Sequence, residues 1–187
     1  DPLLHHPAPS VRRSAARTLA RKPDEIALAS RLALVADPVG LVRAAVLESL
    51  RPDAADALVR RAALEGLGDK SPWVRRAALE LLADSPSELN RVARLLEDSD
   101  STVRRTAVRV VARMGGDVAE DKLVERLADR EELVAREAAR ELAAMGGERV
   151  EGMRVKNLAH ENEQVVVEAI RALGKIGPCA RSPRTYR

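Results

Sequence analysis

The chain has 187 residues, 45% of them hydrophobic and 33% charged, with a formal net charge of +3. That balance supplies a core and a soluble exterior and excludes disorder along the whole length, while so small an excess of positive charge does not by itself imply a duplex-binding domain. Aromatic residues make up 1%, with no Phe, one Trp and one Tyr, so the interior must be filled by Ala, Leu and Val, which suits closely approaching helices better than strands.

Taken in chain order, six segments open alike, at Val11, Val42, Val74, Val103, Val134 and Val165, with spacings of 31, 32, 29, 31 and 31 residues. Four and five residues after each Val stand Ala15/Ala16, Val46/Leu47, Ala78/Leu79, Ala107/Val108, Ala138/Ala139 and Ala169/Ile170. Eight residues after it stand Leu19, Leu50, Leu82, Val111, Leu142 and Leu173. Positions 0, 4, 5 and 8 share one side of a 3.6-residue helix, so each segment reads as an amphipathic helix with a small, close-packing apolar stripe.

Between these segments the pattern predicts further helices over residues 24–36, 53–67, 87–96, 117–128 and 148–158. An acidic column at Asp37, Asp69, Asp98 and Asp129, with His160 at the last position, stands five residues before the valines from Val42 onward. Two residues earlier come Val35, Leu67, Leu96, Leu127 and Leu158. The unit is therefore helix, sharp turn, helix, longer connection. Ser10, Ser71 and Ser101 stand where they cap or precede helices, and Gly115, Gly146 and Gly177 stand where helices end.

The pattern Asp-x-x-x-x-Val-Arg-x-x-Ala, with Leu eight residues after Val, resembles the HEAT repeat, in the short bacterial form also found in phycobilin lyase subunits. The match is clearest over residues 69–83 and 98–115; Ala135 and Val166 stand where Arg is expected. The resemblance implies an all-α, right-handed solenoid of about six repeats, the first incomplete, over residues 1–177; residues 178–187, basic, with two prolines and no helical period, are expected to be a disordered tail.

Arg12, Arg43, Arg75 and Arg104 directly follow the column valines. A guanidinium fork pairs with a carboxylate and helix-end carbonyls together, so these arginines are expected to bond the Asp column between neighbouring hairpins. That gives Asp37, Asp69, Asp98 and Asp129 an architectural role, in which they also accept amide hydrogen bonds at the start of the following helix.

A second polar stripe lies two and six residues after each Val: Arg13/Arg17, Ala44/Glu48, Arg76/Glu80, Arg105/Arg109, Arg136/Arg140 and Val167/Arg171. In HEAT-like families the second helices line the concave surface. The resemblance therefore puts Arg105, Arg109, Arg136, Arg140 and Arg171 on the inner side as candidate partner-binding residues, with Trp73 as a candidate hot spot. The alternative is a solvated face neutralised by acids such as Glu137 and Glu141. Ala44, Glu48 and Glu80 interrupt the basic stripe, which confines its footprint to the fourth through sixth repeats and sets Arg13 and Arg17 apart.

Catalytic and metal signatures are missing. His5, His6 and His160 are distant along the chain, and the single Cys179 supplies neither an intramolecular disulfide nor a cysteine-rich metal site. There is no phosphate-binding Lys loop, no dinucleotide fingerprint and no nucleophile elbow. The expectation is a cytoplasmic, non-enzymatic scaffold with a protein partner and no cofactor, metal or membrane span. Nucleic-acid binding through the basic face is the first alternative. Bilin-lyase or DNA-glycosylase activity, implied only by the resemblance, is the second.

Overall fold

The computed structural model of the chain describes residues 2–20 and 25–145. Among them the regular elements are all helical: α1 (Pro9–Leu19), α2 (Glu25–Leu32), α3 (Gly40–Ser49), α4 (Ala57–Gly66), α5 (Pro72–Leu81), α6 (Leu89–Ala93), α7 (Ser101–Met114), α8 (Asp117–Glu125) and α9 (Glu132–Met145). The segments expected at 148–158 and from Val165 onward, with the tail at 178–187, lie outside the described residues.

The odd-numbered helices begin around the column valines and stack in one row, α1 on α3, α3 on α5, α5 on α7 and α7 on α9. The even-numbered helices form the other row, with α4 against α5, α6 against α7 and α8 against α9. The expected core positions face the seam. Val42, Val74, Val103 and Val134 are buried, as are Val46, Ala78, Ala107 and Ala138 four residues on and Leu50, Leu82, Val111 and Leu142 eight residues on. In the incomplete first repeat Val11 and Leu19 are only half-buried, because no hairpin covers α1 on its outer side among the described residues.

The first helix of each repeat is shorter than its apolar period predicts. Helices α2, α6 and α8 give way to 3₁₀ turns at Ala33–Ala36, Arg94–Glu97 and Arg126–Ala128. A 3₁₀ turn winds more tightly than an α-turn, which carries Leu34, Leu96 and Leu127 inward just before the chain reverses. In the second repeat Leu34, not the expected Val35, is the buried anchor. Helix α4 starts at Ala57 because Asp56, not Asp53, caps it, accepting from the Leu58 and Val59 amides.

Close packing fixes one glycine and backbone conformation another. A methyl group at Gly66 would stand 3.0 Å from Leu47 Cδ1 and 3.1 Å from Ala78 Cβ, so only hydrogen lets α4 approach α3 and α5 this closely. Gly115 ends α7 with φ of 70°, a backbone region costly for any side chain.

A polar ladder runs along the turns. Arg12 directs Nε and Nη2 at the two carboxylate oxygens of Asp37 (2.7 and 3.1 Å), and Arg43 does the same to Asp69 (2.8 and 2.7 Å). Arg75 grips Asp98 at 2.7 Å through both nitrogens, and Arg104 grips Asp129 at 2.9 and 2.8 Å. The remaining nitrogen of each fork returns to its own turn: Arg43 Nη1 donates to the Asp37 carbonyl, Arg75 to that of Asp69 and Arg104 to that of Asp98. Each Asp Oδ1 also accepts the amide two residues ahead, from Val39, Ser71, Asp100 and Glu131.

This arrangement stands in place of serine caps. Ser71 precedes α5 without a side-chain cap bond, and α1 begins at Pro9, ahead of Ser10. Ser101 is already the first residue of α7, where Asp100 accepts from the Thr102 and Val103 amides. A carboxylate is the stronger acceptor at a helix start, and the ladder has already taken the neighbouring amide.

Asp129 and Arg104 are the most enclosed pair, with side chains 3% and 4% exposed. Removing one member strands the other charge inside, at a cost of about 3–5 kcal/mol. Asp129→Ala is therefore expected to lower the chemical-denaturation midpoint by that equivalent, and Arg104→Lys, which loses the fork, is expected to destabilise too.

The ladder also sets the acid response. Burial pushes Asp37, Asp69 and Asp129 up, but the guanidinium hydrogen bond, the backbone amide and the Coulomb attraction outweigh it and leave each below the ordinary 3.8. A lowered folded-state pKa contributes stability that is present above the unfolded value and is lost as pH falls through the folded one. Thermal melts should hold steady from neutral pH to about pH 5 and then decline through and below about pH 4, with a shallower decline when Asp129 is Asn.

Candidate partner-binding surface

The inner face of the odd-numbered row is built from residues one before and two, three and six after each column Val. Their side chains are not uniform along the array. Between α1, α3 and α5 a cleft of ≈ 660 Å³ opens over a floor of Ala44, Ala45 and Ala77. The small side chains at Ala44, which interrupts the basic stripe in sequence, and Ala45 are what leave this space.

Arginines and carboxylates rim the cleft. Arg17 Nη2 donates to Glu48 at 3.2 Å and Arg51 Nη2 to Glu80 at 3.1 Å. Trp73, the second residue of α5, is 55% exposed on one wall, beside Leu41, which is 48% exposed. The Arg76 guanidinium stacks over the indole, 5.4 Å from the ring centroid, and its Nε reaches Thr106 Oγ1 at 3.4 Å. Neither Arg76 nor Arg13 pairs with a carboxylate among the described residues.

Farther along, a carboxylate takes the place of alanine. Glu137, on α9 and only 5% exposed, stands three residues after Val134, at the position held by Ala45 and Ala77 in the earlier repeats. Arg105 Nε approaches it at 3.3 Å and Arg109 Nε at 3.8 Å, and Arg140 also donates to it and to Glu141 at 2.9 Å. Arg109 reaches back to Glu80 at 3.4 Å. The basic row predicted for the later repeats is thus largely neutralised by a buried carboxylate, with Arg136 exposed beside it. Arg171 lies outside the described residues.

The sequence-predicted candidates therefore divide between two places. Trp73 belongs to the alanine-floored cleft, together with Arg13 and Arg17, which their distance along the chain sets apart; Arg105, Arg109 and Arg140 gather around Glu137. Leu41 escapes a sequence reading centred on charge, although a signal exists: Leu41, Trp73 and Leu133 are large apolar residues directly before a column Val, and all three are exposed.

A family model for HEAT repeats matches residues 60–143, which span α5 and α7 with their partners α6 and α8 and most of α4 and α9. The helical array is also similar to solved structures. An engineered protein aligns at 24% identity over 92% of this chain and 94% of its own, with a TM-score of 0.61. A designed armadillo repeat protein in complex with peptide (KR)4 aligns at 20% over 94% and 97%, with a TM-score of 0.60. YibA of Escherichia coli aligns at 21% over 91% and 67%, with a TM-score of 0.67. These likenesses support the solenoid fold; they do not carry the narrower resemblance to phycobilin lyase repeats. No curated protein matches the sequence.

No helix among the described residues of the array is long and apolar enough to cross a membrane. Nor do the described His, Cys, Asp and Glu residues gather into a group able to hold a metal ion.

Glu137 sets the charge of the later groove. Glu137→Gln leaves three arginines facing a neutral amide, and is expected to cost about 1–3 kcal/mol in thermal or denaturant unfolding. The same variant should elute from heparin at higher salt than the parent.

Proposed function

We propose that the helical array is a non-enzymatic, protein-binding scaffold that receives an extended acidic partner along its inner row. The observation that carries this reading is the fixed inner face: side chains of α1, α3, α5, α7 and α9 stand in register, and the α1 to α5 stretch opens a cleft with an exposed indole and two guanidinium groups that meet no carboxylate among the described residues. A surface held rigid by its neighbours binds without the entropic cost of ordering a flexible segment. Trp73, Arg105, Arg109, Arg136 and Arg140 are the proposed contacts, with Arg171 continuing the row by sequence.

Charge supports the sign of the partner. One solved neighbour is in complex with (KR)4, a basic peptide. Here the inner row carries more arginines than carboxylates even with Glu48, Glu80 and Glu137 counted, so the same kind of array favours the opposite charge. Rim charges mainly steer encounter and select partners, while buried aromatic and Arg anchors hold them.

Replacing Arg105, Arg109, Arg136 and Arg140 by Gln together, with Glu137 also replaced by Gln so that no buried carboxylate is stranded, should weaken calorimetric binding of a glutamate-rich peptide by about tenfold or more without loss of helicity. Binding by the parent should also decline with salt. Unchanged affinity in the fourfold arginine variant removes these residues from the surface, and tighter binding of an oligonucleotide than of the peptide turns the reading toward nucleic acid.

A further inference from the structure

Resting on the scaffold reading above, we infer that the cleft between α1, α3 and α5 is a sequence-selective pocket for a short extended peptide that places a bulky apolar side chain between two carboxylates. Three observations converge on this occupant. Arg13 and Arg76 occupy the same position in their repeats, two residues after Val11 and Val74, on opposite sides of the cleft, and neither meets a carboxylate among the described residues. Leu41, on the intervening α3, and Trp73, on α5 against Arg76, stay exposed at the cleft. The floor is alanine, so a side chain descending from above meets apolar surface.

Guanidinium groups that meet no carboxylate among the described residues, set beside an apolar wall, are poised for a carboxylate that brings an apolar neighbour with it. A fork-shaped donor takes a carboxylate through two parallel bonds. Arg76 is held for this by stacking on the indole, which orients its plane and limits the freedom it would lose on binding. The remaining arginines of the rim, Arg17 and Arg51, are engaged by Glu48 and Glu80. They shape the site without offering a free charge.

Spacing sets the length of the peptide. Packed helices lie about 8–10 Å apart, so the two intervals from α1 to α5 cover roughly 16–20 Å. An extended strand advances about 3.3 Å per residue and turns alternate side chains to the same face. Two carboxylates four residues apart, on the face toward the array, fall within reach of the flexible Arg13 and Arg76 side chains. The residue midway between them points at the Leu41 and Trp73 wall. The recognised pattern is thus acidic, any, apolar, any, acidic.

Nucleic acid fits this cleft less well. Glu48 and Glu80 on its rim repel a continuous phosphate backbone, whereas a peptide can space its two charges to avoid them. One indole also makes no series of stacking platforms for successive bases.

The chain holds a single Trp, at position 73, so its emission reports occupancy of this cleft alone. The full chain is titrated with the capped peptide Gly-Glu-Ser-Leu-Ser-Glu-Gly, following indole emission and calorimetric heat in parallel. Controls replace both Glu by Lys, or Leu by Ser, and an oligothymidine of comparable length is titrated separately. Saturable binding with a change in emission is expected. Arg13→Gln and Arg76→Gln should each weaken it about tenfold. Arg60→Gln, on the exposed side of α4, carries the same change in net charge and should leave it intact, with far-UV circular dichroism confirming the fold of every variant.

Calorimetric binding that leaves the indole silent and survives Arg13→Gln and Arg76→Gln overturns the pocket while leaving the scaffold reading standing. Equal affinity for the Lys control or the Ser control removes the proposed selectivity and overturns it too. Tighter emission-coupled binding of oligothymidine replaces the peptide by nucleic acid. If this peptide binds by neither readout the pocket assignment fails, and the glutamate-rich peptide with the fourfold arginine variant decides the scaffold reading separately.

Discussion

Every feature of this molecule depends on one constraint: a single hairpin cannot bury its own apolar stripe. The stripe of Val, Ala and Leu on each odd-numbered helix is covered only when the next repeat packs against it, as α3 and α5 do around Leu47, Ala78 and Gly66. Small residues at the contact bring the helices close, and close approach multiplies individually weak dispersion contacts. The absence of Phe follows from the same geometry, since a large ring at these seams would force the helices apart. Stability in such an array is shared between neighbours, so an alteration at one seam is felt chiefly by the repeats on either side.

Apolar packing alone leaves sliding and rotation between repeats weakly specified, and the Arg–Asp ladder supplies direction. Each Asp receives the fork of the preceding repeat and fixes its own turn by a backbone amide, while each Arg also returns to a carbonyl of its own turn. A rotation that broke one bond would strain the others. Enclosed ion pairs are weak evidence of net stability because desolvation offsets much of their attraction. Their clearer contribution here is register. By consuming Arg12, Arg43, Arg75 and Arg104, the ladder also removes those charges from any role in recognition, which leaves the inner face to a different set of arginines.

Much of this architecture was legible in the sequence because its causes are periodic. The column valines and the apolar positions after them repeat in every unit, the Asp five residues before them repeats in four of the six, and a 3.6-residue helix turns the apolar spacing directly into a buried stripe. The Arg–Asp spacing is equally regular, and the bonds follow it. What escaped is local and aperiodic. The 3₁₀ endings of α2, α6 and α8 depend on how far the chain must tighten to bury one Leu, and the replacement of Ser101 by Asp100 as a cap depends on which side chain reaches the amides first. The candidate surface was less legible still. Charge counting sees Arg105, Arg109 and Arg140 as a basic row, but it cannot see that Glu137 reaches into their midst from the helix next door.

The same limit explains why the cleft was hidden in plain view. In a linear reading Ala44 interrupts a basic stripe and weakens the case for binding near it. In three dimensions an absent side chain is also an available volume, and the residues around the gap acquire meaning from it: Arg13 and Arg76 become its sides, and Leu41 and Trp73 its wall. Where the corresponding position is Glu137 an internal ion network forms instead. An array of nearly identical hairpins therefore acquires distinct surfaces through departures from its own repeat, and the repeated residues hold those departures at fixed spacing. Selectivity in this molecule is written where the pattern fails, and the pattern's regularity is what keeps those failures in place.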